Sequence, residues 1–336
     1  NYLCRGELMA IIFIGNGINQ NEGLVYSWEN LLDKVVEHLE SEKIKKGERK
    51  AVSGVKLQRP KVEGLSMTMG FELLEFFSVD NDLADSGYML KKNIAKVIRK
   101  KIRDRSKEKD FSWNNTIHAQ IMRLPVQTYL TTNYDYALEQ SVRPDFVRKP
   151  STRELEYSRM RYQTVSVDGQ KKTVYHIHGE IEAPNSICLG FEHYSGTLEK
   201  MRSDLLRGTH DRQIEKDLHT FHLKDVLTGV EPADNCWYLK VFTEDIYILG
   251  FNIEFAEQDL WWLLDYRYRK IRDGKLPITN HVYFIDVDKQ EDREKTNYIA
   301  RNTALSQFGV EVKLAEGTDY PERYQWALDW IGQMLK

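Results

Sequence analysis

Residues 11–20 read IIFIGNGINQ, and this stretch decides the fold that the sequence predicts. Four apolar residues, Ile11 to Ile14, run directly into the turn Gly15-Asn16-Gly17. In an α/β protein, a buried strand that ends in a glycine turn directs backbone N–H groups to the place where phosphates bind. The full dinucleotide fingerprint G-x-G-x-x-G needs a third glycine where this chain has Gln20. Half a fingerprint leaves two interpretations open, a nucleotide site and an ordinary packed turn.

The bulk composition limits the class of protein. A chain of 336 residues predicts two domains, or one large core that carries an insertion. Lys and Arg total 48 against 51 Asp and Glu, so the net charge of -3 indicates no surface for nucleic acid. Cys4, Cys188 and Cys236 are scattered without a C-x-x-C pair, which excludes a four-cysteine zinc module within this chain. We expect a reducing, cytoplasmic environment.

The apolar runs are short. None approaches the roughly 20 residues that a membrane-spanning helix needs, so we expect a soluble protein without a membrane partner. Met9 is a candidate natural start, and residues 1–8 would then be an upstream extension.

Strand patterns alternate with helical patterns along the chain, which predicts a doubly wound, mostly parallel α/β sheet. After Ile11 to Ile14, the predicted strands are Val126 to Leu130, Gln163 to Val167, Val174 to Ile177, Ile187 to Leu189, Ile246 to Leu249, His281 to Asp286 and Val310 to Leu314. Helices are predicted after Ser27, from Phe255 to Arg272, from Asp292 to Phe308 and from Tyr320 to Leu335. The region 41–124 contains no convincing strand and is predicted to be a helical insertion.

Three of the predicted strands end in polar or glycine-rich segments. These segments are TTNYD at 131–135, HGE at 178–180 and GFN at 250–252. Because the carboxyl ends of parallel strands face one crevice, the sequence predicts that these segments converge in one site. Each has an ordinary structural alternative: Asn133 and Asp135 can cap a helix, His178 can be a hydrogen-bonded core histidine, and Gly250 can form a tight turn.

Taken together, these motifs resemble a known family. The segments IIFIGNGIN, LTTNYD, HIHGE, SICLGFEHY and IYILGFN follow the order of the sirtuin fold, and they most resemble the sirtuin-like domains of bacterial anti-phage defence systems such as Thoeris. The resemblance covers about residues 10–30, 125–200 and 240–315. It implies a Rossmann-like NAD-binding domain made of residues 10–40 and 125–336, with the helical insertion 41–124 between its two parts.

The resemblance also implies which residues contact NAD. It places the backbone from Gly15 to Asn19 along the pyrophosphate and Asn133 beside the nicotinamide ribose, and it makes His178 catalytic. The residues predicted to bind NAD are Gly15, Asn16, Gly17, Ile18, Asn19, Thr132, Gly250, Phe251, Asn252 and Asp286. The residues predicted to be catalytic are Asn133, Asp135 and His178. The segment after Asn252 is longer than the usual acidic link of the family, so no role is carried over onto Glu257 or Asp259.

The chemistry of these groups favours cleavage of the nicotinamide–ribose bond. That cleavage passes through an oxocarbenium-like state, and its cationic leaving group needs no acid to protonate it. Asn133 can orient water or a ribose hydroxyl, since an amide both donates and accepts. His178 can accept a proton near neutral pH, and Asp135, if it points inward, favours the cationic centre. His176 would face the opposite side of the sheet and is predicted to be structural.

The predicted function is therefore NAD hydrolysis, with NAD as the substrate and no metal, which would deplete NAD during anti-phage defence. Two alternatives stay open at this point. The protein can be a module that senses NAD or ADP-ribose without turnover, or a protein deacylase, against which the missing zinc module counts. The resemblance further implies a homo-oligomer and a partner such as a HerA-type ATPase.

Overall fold

The structure is a computed structural model, and it describes residues 9–48, 57–59, 65–150, 157–210, 220–230 and 236–336. Cys4 and the predicted upstream extension, residues 1–8, lie outside the described residues. No helix within the described ranges is both long and apolar enough to cross a membrane.

The strands confirm an α/β fold built on a mostly parallel sheet. In chain order they are β1 (Ala10–Ile14), β2 (Thr128–Thr131), β3 (Tyr162–Val167), β4 (Gln170–His176), β5 (Thr209–His210), β6 (Thr220–Phe221), β7 (Asp245–Leu249), β8 (Val282–Asp286) and β9 (Glu311–Leu314). Seven of them form one sheet in the order β3-β4-β2-β1-β7-β8-β9. Neighbouring strands run parallel except in the β3–β4 hairpin at one edge. The short strands β5 and β6 pair separately.

The sheet has a topological switch point between β1 and β7. From β1 the chain moves outward to β2 and β4, then returns to place β7 beside β1 and continues to β8 and β9. In open α/β sheets, ligands bind in the crevice at such a reversal. The order of the strands therefore places the candidate site above the carboxyl ends of β1 and β7.

Helices cover both faces of the sheet. They are α1 (Gly17–Asn21), α2 (Trp28–Lys45), α3 (Met67–Asp80), α4 (Gly87–Arg105), α5 (Ile117–Met122), α6 (Ala137–Val142), α7 (Gly190–Arg207), α8 (Leu223–Leu227), α9 (Trp237–Lys240), α10 (Gln258–Asp273), α11 (Gln290–Arg293), α12 (Thr296–Gln307) and α13 (Tyr320–Met334). The single predicted helix from Asp292 to Phe308 is thus two helices, α11 and α12, separated where Lys295 adopts an extended backbone.

The central strand β1 is buried on both faces, which explains its unbroken apolar sequence. Ile12 and Ile14 pack in a cluster with residues of α2, α3, α4 and α13, whereas Ile11 and Phe13 pack with residues of α7 and α10 on the other face. The helices of the predicted insertion therefore share a core with the sheet. The boundaries of that insertion stay a prediction.

The strand predicted from Ile187 to Leu189 is wrong. These residues lie between a 3-10 turn at Pro184–Ser186 and the start of α7, and they pair with no strand in the part of the chain that the structure describes. Both edges of the nearest strand, β4, are already occupied by β2 and β3. The apolar side chains are buried instead beside the turn after β4, where the N–H of Cys188 donates to the carbonyl of His178 at 2.7 Å.

Candidate functional site

A cavity of about 590 Å³ lies at the switch point, a size within the roughly 300–1,000 Å³ of small-molecule sites. The predicted site residues in its lining are Asn16, Gly17, Thr132, Asn133, Asp135, His178, Gly250, Phe251, Asn252 and Asp286. Gly15, Ile18 and Asn19 lie beside the cavity and are not part of its lining. The structure thus brings the three polar strand ends together, while the binding and catalytic roles themselves stay predictions.

The glycine turn after β1 packs directly against the loop after β7. The N–H of Gly15 donates to the carbonyl of Leu249 at 3.1 Å, and the N–H of Gly17 donates to the carbonyl of Gly250 at 2.8 Å. A Cβ atom at Gly15 would lie 2.5 Å from the Cβ of Phe251, and one at Gly17 would lie 2.9 Å from the Gly250 oxygen. The glycines are therefore needed for the close approach of two loops, and the N–H of Gly17 already has a protein acceptor.

Asn133 presents an unpartnered acceptor at the cavity wall. Its side-chain Nδ2 donates to the carbonyl of Gly15 at 3.3 Å, and its backbone N–H donates to Oγ1 of Thr131 at 3.0 Å. Its Oδ1 is buried and has no hydrogen-bond partner among the described residues. Buried polar atoms are nearly always hydrogen-bonded in folded proteins, so this oxygen is a position where a ligand hydroxyl or a water molecule can donate.

His176 supports the loop that carries Asn133. Its Nδ1 lies 3.2 Å from the carbonyl of Asn133, and its Nε2 lies 2.9 Å from Oε1 of Glu139. Burial alone would lower the pKa of His176, but the carboxylate of Glu139 outweighs it and the pKa rises to about 9. A protonated imidazole donates from both nitrogens, which matches both contacts. His176 therefore holds the backbone of Asn133 from behind, which agrees with its predicted structural role.

His178 lies in the turn beyond β4, because that strand ends at His176. Its Nε2 lies 2.9 Å from Oδ2 of Asp259, on α10, and both side chains are buried. The ring of Tyr194 packs edge-on against the imidazole, with centroids 5.4 Å apart and an interplanar angle of 83°. No described residue bonds to Nδ1 of His178, and the residue lines the cavity. One ring nitrogen is held by protein, and the other is available to a ligand.

Asp135 connects two loops of the site. Its Oδ2 accepts from Nδ2 of Asn19 at 2.7 Å, and its Oδ1 accepts from the N–H of Ala137 at 2.9 Å. Nε2 of His118 lies 2.7 Å from Oδ1 of Asn19, and burial lowers the pKa of His118 to about 3, so this histidine is neutral. Both carboxylate oxygens of Asp135 thus have protein partners, while the residue also lines the cavity, and its predicted catalytic role stays a prediction.

The far end of the cavity contains a network around Asp286. This carboxylate accepts from Nη2 of Arg301 and Nδ2 of Asn302, both at 3.0 Å, and from the N–H of Asp288 at 2.9 Å. Nη1 of Arg301 donates to Oδ1 of Asn252 at 2.8 Å. Burial and the nearby Asp286 raise the pKa of Asp288 to about 6. The aromatic residues that line this end are Phe284, Tyr298, Tyr320 and Tyr324.

Two acidic residues to which the sequence analysis assigned no role lie near His178. Glu257 lines the cavity, and burial, followed by the charge of Asp259, raises the pKa of Glu257 well above its ordinary value. Asp259 is fully buried on the same face of α10 as Leu263. The sequence did contain a signal for Asp259, because a carboxylate on the apolar face of a helix requires a buried partner.

Within the described residues, no group of three or more His, Cys, Asp or Glu side chains could hold a metal ion. His176 and His178 each bond to a different carboxylate. That the protein needs no metal stays a prediction.

The fold and the cavity define a Rossmann-like α/β protein with a candidate ligand site at the switch point of its sheet. The family model described as "SIR2-like domain" matches residues 127–224, the segment that contains Asn133 and His178. The chain is also 25% identical over 222 residues to "NAD(+) hydrolase ThsA" of Enterococcus faecium. That alignment covers 61% of this chain and 37% of the relative. These findings confirm the resemblance to sirtuin-like domains, which the family model locates in residues 127–224.

Proposed function

We propose that this protein hydrolyses NAD at the nicotinamide–ribose bond. The observation that carries this proposal is the presence in one cavity of an asparagine with an unpartnered Oδ1, Asn133, and a histidine with an open ring nitrogen, His178. The match to the SIR2-like domain over both residues supports it, as does the similarity to a protein named as an NAD hydrolase.

The proposed reaction uses water and releases one proton. The bond between ribose C1′ and the nicotinamide nitrogen breaks with its electron pair on nitrogen, which neutralises the pyridinium. The oxygen of water bonds to C1′, and the proton of that water passes to Nδ1 of His178 and then to solvent. Asn133 positions the water or a ribose hydroxyl through its open Oδ1. The products are nicotinamide, ADP-ribose and a proton.

The test is incubation of the protein with NAD in the absence of any peptide, followed by chromatography of nicotinamide and ADP-ribose. We expect His178→Ala and Asn133→Ala to lower kcat by roughly 100- to 10,000-fold, the typical contribution of general-base catalysis. Because both residues serve one step, the double variant is expected to be little worse than the worse single variant. His281→Ala changes an exposed histidine outside the cavity and is the matched control.

Three other outcomes would contradict the proposal. NAD that binds and stays intact would favour the sensing module. Turnover that requires an acylated peptide would favour the deacylase. Full turnover by His178→Ala would remove His178 from the reaction.

Since the proposed step uses only side chains and water, activity is expected to persist in a chelator such as EDTA.

We further propose that hydrolysis depletes NAD in the cytoplasm during anti-phage defence, within a homo-oligomer or beside a partner such as a HerA-type ATPase. The support for this role is the resemblance of the motifs to defence proteins. Size-exclusion chromatography of the protein with and without the product of a neighbouring gene tests the assembly. A single monomeric peak in both runs would contradict it.

A further inference from the structure

Asp259 is a fully buried carboxylate whose hydrogen-bond partner is the candidate catalytic histidine. Its exposed fraction is 0%, and its Oδ2 lies 2.9 Å from Nε2 of His178. Its Oδ1 is buried, and no residue in the described ranges bonds to it. An unpaired charge in a protein interior is costly, so a carboxylate in this position is stabilised by a hydrogen-bond donor. Nε2–H of His178 is the donor that the described structure provides.

This contact determines which ring nitrogen of His178 can act as a base. A carboxylate accepts hydrogen bonds, so Nε2 carries the hydrogen and Nδ1 is left with its lone pair. The edge-on contact with Tyr194 restrains the ring, and His178 borders the cavity. The lone pair that can take a proton from water is therefore on the nitrogen without a protein partner.

We propose that Asp259 is a positioning residue, which holds His178 in the tautomer with Nδ1 free and stabilises the imidazolium that forms when Nδ1 takes a proton. The inference rests on the proposed function, because it assigns Asp259 a part in the same reaction. In hydrolases with a Ser-His-Asp triad, a buried carboxylate orients the catalytic histidine in the same way. Here the proposed nucleophile is water, and no nucleophilic side chain is invoked.

The other titratable groups around Asp259 and His178 do not replace Asp259 as the residue that orients the imidazole. Burial is the main cause that raises the pKa of the neighbouring side chains Tyr134, Cys188, Tyr194, Glu254 and Glu257. The positive charge of Lys91 acts to lower the pKa of Cys188, but burial outweighs it. While the pKa values of these neighbours are raised, Asp259 is the acidic side chain in hydrogen-bond contact with the imidazole of His178.

The kinetic test compares Asp259→Asn with the unmodified protein across the pH range. We expect kcat to fall at least about 100-fold, since an amide can hold the histidine in the wrong tautomer. The acidic limb of the pH–rate profile is expected to move to lower pH, because a neutral amide stabilises the protonated imidazole less than a carboxylate does. Affinity for ADP-ribose, measured by calorimetry, should change less than about twofold. Asp265→Asn, a change on the outer part of the same helix, is the matched control. It should leave kcat, the pH–rate profile and the affinity for ADP-ribose unchanged.

A spectroscopic measurement tests the same inference without any activity. Nitrogen-15 NMR of the unmodified protein, with the His178 signals assigned by their loss in His178→Gln, should show Nε2 protonated and Nδ1 bare. The opposite tautomer would overturn the inference, even if Asp259→Asn proves unable to fold. An unchanged pH profile together with a loss of less than about tenfold would overturn it as well.

The failure of this inference can be told apart from failure of the proposed function. If the unmodified protein leaves NAD intact, the proposed hydrolysis is wrong, while the NMR tautomer still tests the Asp259–His178 contact. If His178→Ala abolishes hydrolysis and Asp259→Asn does not, the hydrolase assignment stands and the positioning role is wrong.

Discussion

At the scale of single residues, two histidines at the site each contact a buried carboxylate. The two contacts have different consequences for the charge of the site. His176 contacts Glu139 and the carbonyl of Asn133, and its pKa of about 9 keeps it protonated at neutral pH. His178 contacts Asp259 and leaves one nitrogen open. The first histidine therefore contributes a positive charge behind the site, and the second lines the cavity, where we propose that it accepts a proton.

The charge of His176 predicts a pH-dependent contribution to stability. Its folded pKa of about 9 exceeds its ordinary value of 6.5, so the contribution is complete below about pH 6.5 and is lost as the pH rises through about 9. At about 1.4 kcal/mol per pKa unit, this pKa shift contributes on the order of 3 kcal/mol to stability. We expect His176→Gln to unfold at a lower temperature than the unmodified protein at pH 6. The difference between the two melting temperatures should become smaller by pH 10.

Thermal denaturation followed by circular dichroism from pH 6 to 10 measures this effect. His281→Gln, which changes an exposed histidine paired with Glu311, is the control and should follow the unmodified protein. A gap between His176→Gln and the unmodified protein that stays constant over this range would contradict the assignment of the charge.

At the scale of elements, the two loops at the switch point form one unit. The turn after β1 donates backbone hydrogen bonds to the loop after β7, and the side chain of Phe251 packs on Phe13 of β1 with ring centroids 5.2 Å apart. The bond between Asn19 and Asp135 adds the loop after β2. The shape of the cavity therefore depends on contacts between loops that are distant in sequence.

Gly17→Val tests this loop contact. The sequence predicts that a β-branched side chain blocks the approach of pyrophosphate, whereas the structure places the new Cβ 2.9 Å from the Gly250 oxygen and 3.2 Å from the Tyr324 hydroxyl. We therefore expect the variant to lower the melting temperature and to weaken ADP-ribose binding together. Gly332→Ala is the control, because nothing lies within 4 Å of the added carbon and alanine favours its helix. Weaker binding with an unchanged melting temperature would support the pyrophosphate interpretation instead.

At the scale of the whole molecule, the helical region between β1 and β2 covers one face of the sheet. Phe71 of α3 and Ile94 of α4 belong to the same buried cluster as Ile12 and Ile14 of β1. Val25, Trp28, Met67 and Ile98 from this region also line the cavity. The region therefore contributes both to the core and to the cavity of the candidate site.

Ile94→Ala should consequently destabilise the sheet along with the helices. Ile94 is fully buried, and such a truncation costs about 2–5 kcal/mol. We expect a single cooperative unfolding transition in urea with a lower midpoint, measured by tryptophan fluorescence and by circular dichroism. Phe76→Ala, which truncates a side chain that is 65% exposed on α3, should change stability by less than about 0.5 kcal/mol. Separate transitions for helices and sheet would show that the region folds independently.

The sequence alone determined the α/β class and most strands, because a strand buried on both faces must be apolar at every position, as in Ile11 to Ile14. It also placed Asn133 and His178 in one crevice, since the carboxyl ends of parallel strands share an edge. It failed at Ile187 to Leu189, because whether an apolar segment pairs as a strand depends on a free strand edge, and β4 has none.

Only the tertiary structure decided which groups support the site. Asp259 lies 81 residues from His178 in the chain, and Asn19 lies 116 residues from Asp135, yet each pair is in hydrogen-bond contact. Local pattern carries information about periodicity and turns, but it does not specify which side chain of one loop meets which side chain of another. The partner of a buried carboxylate is set by the packing of whole elements, because its stability depends on whatever donor the fold brings to it.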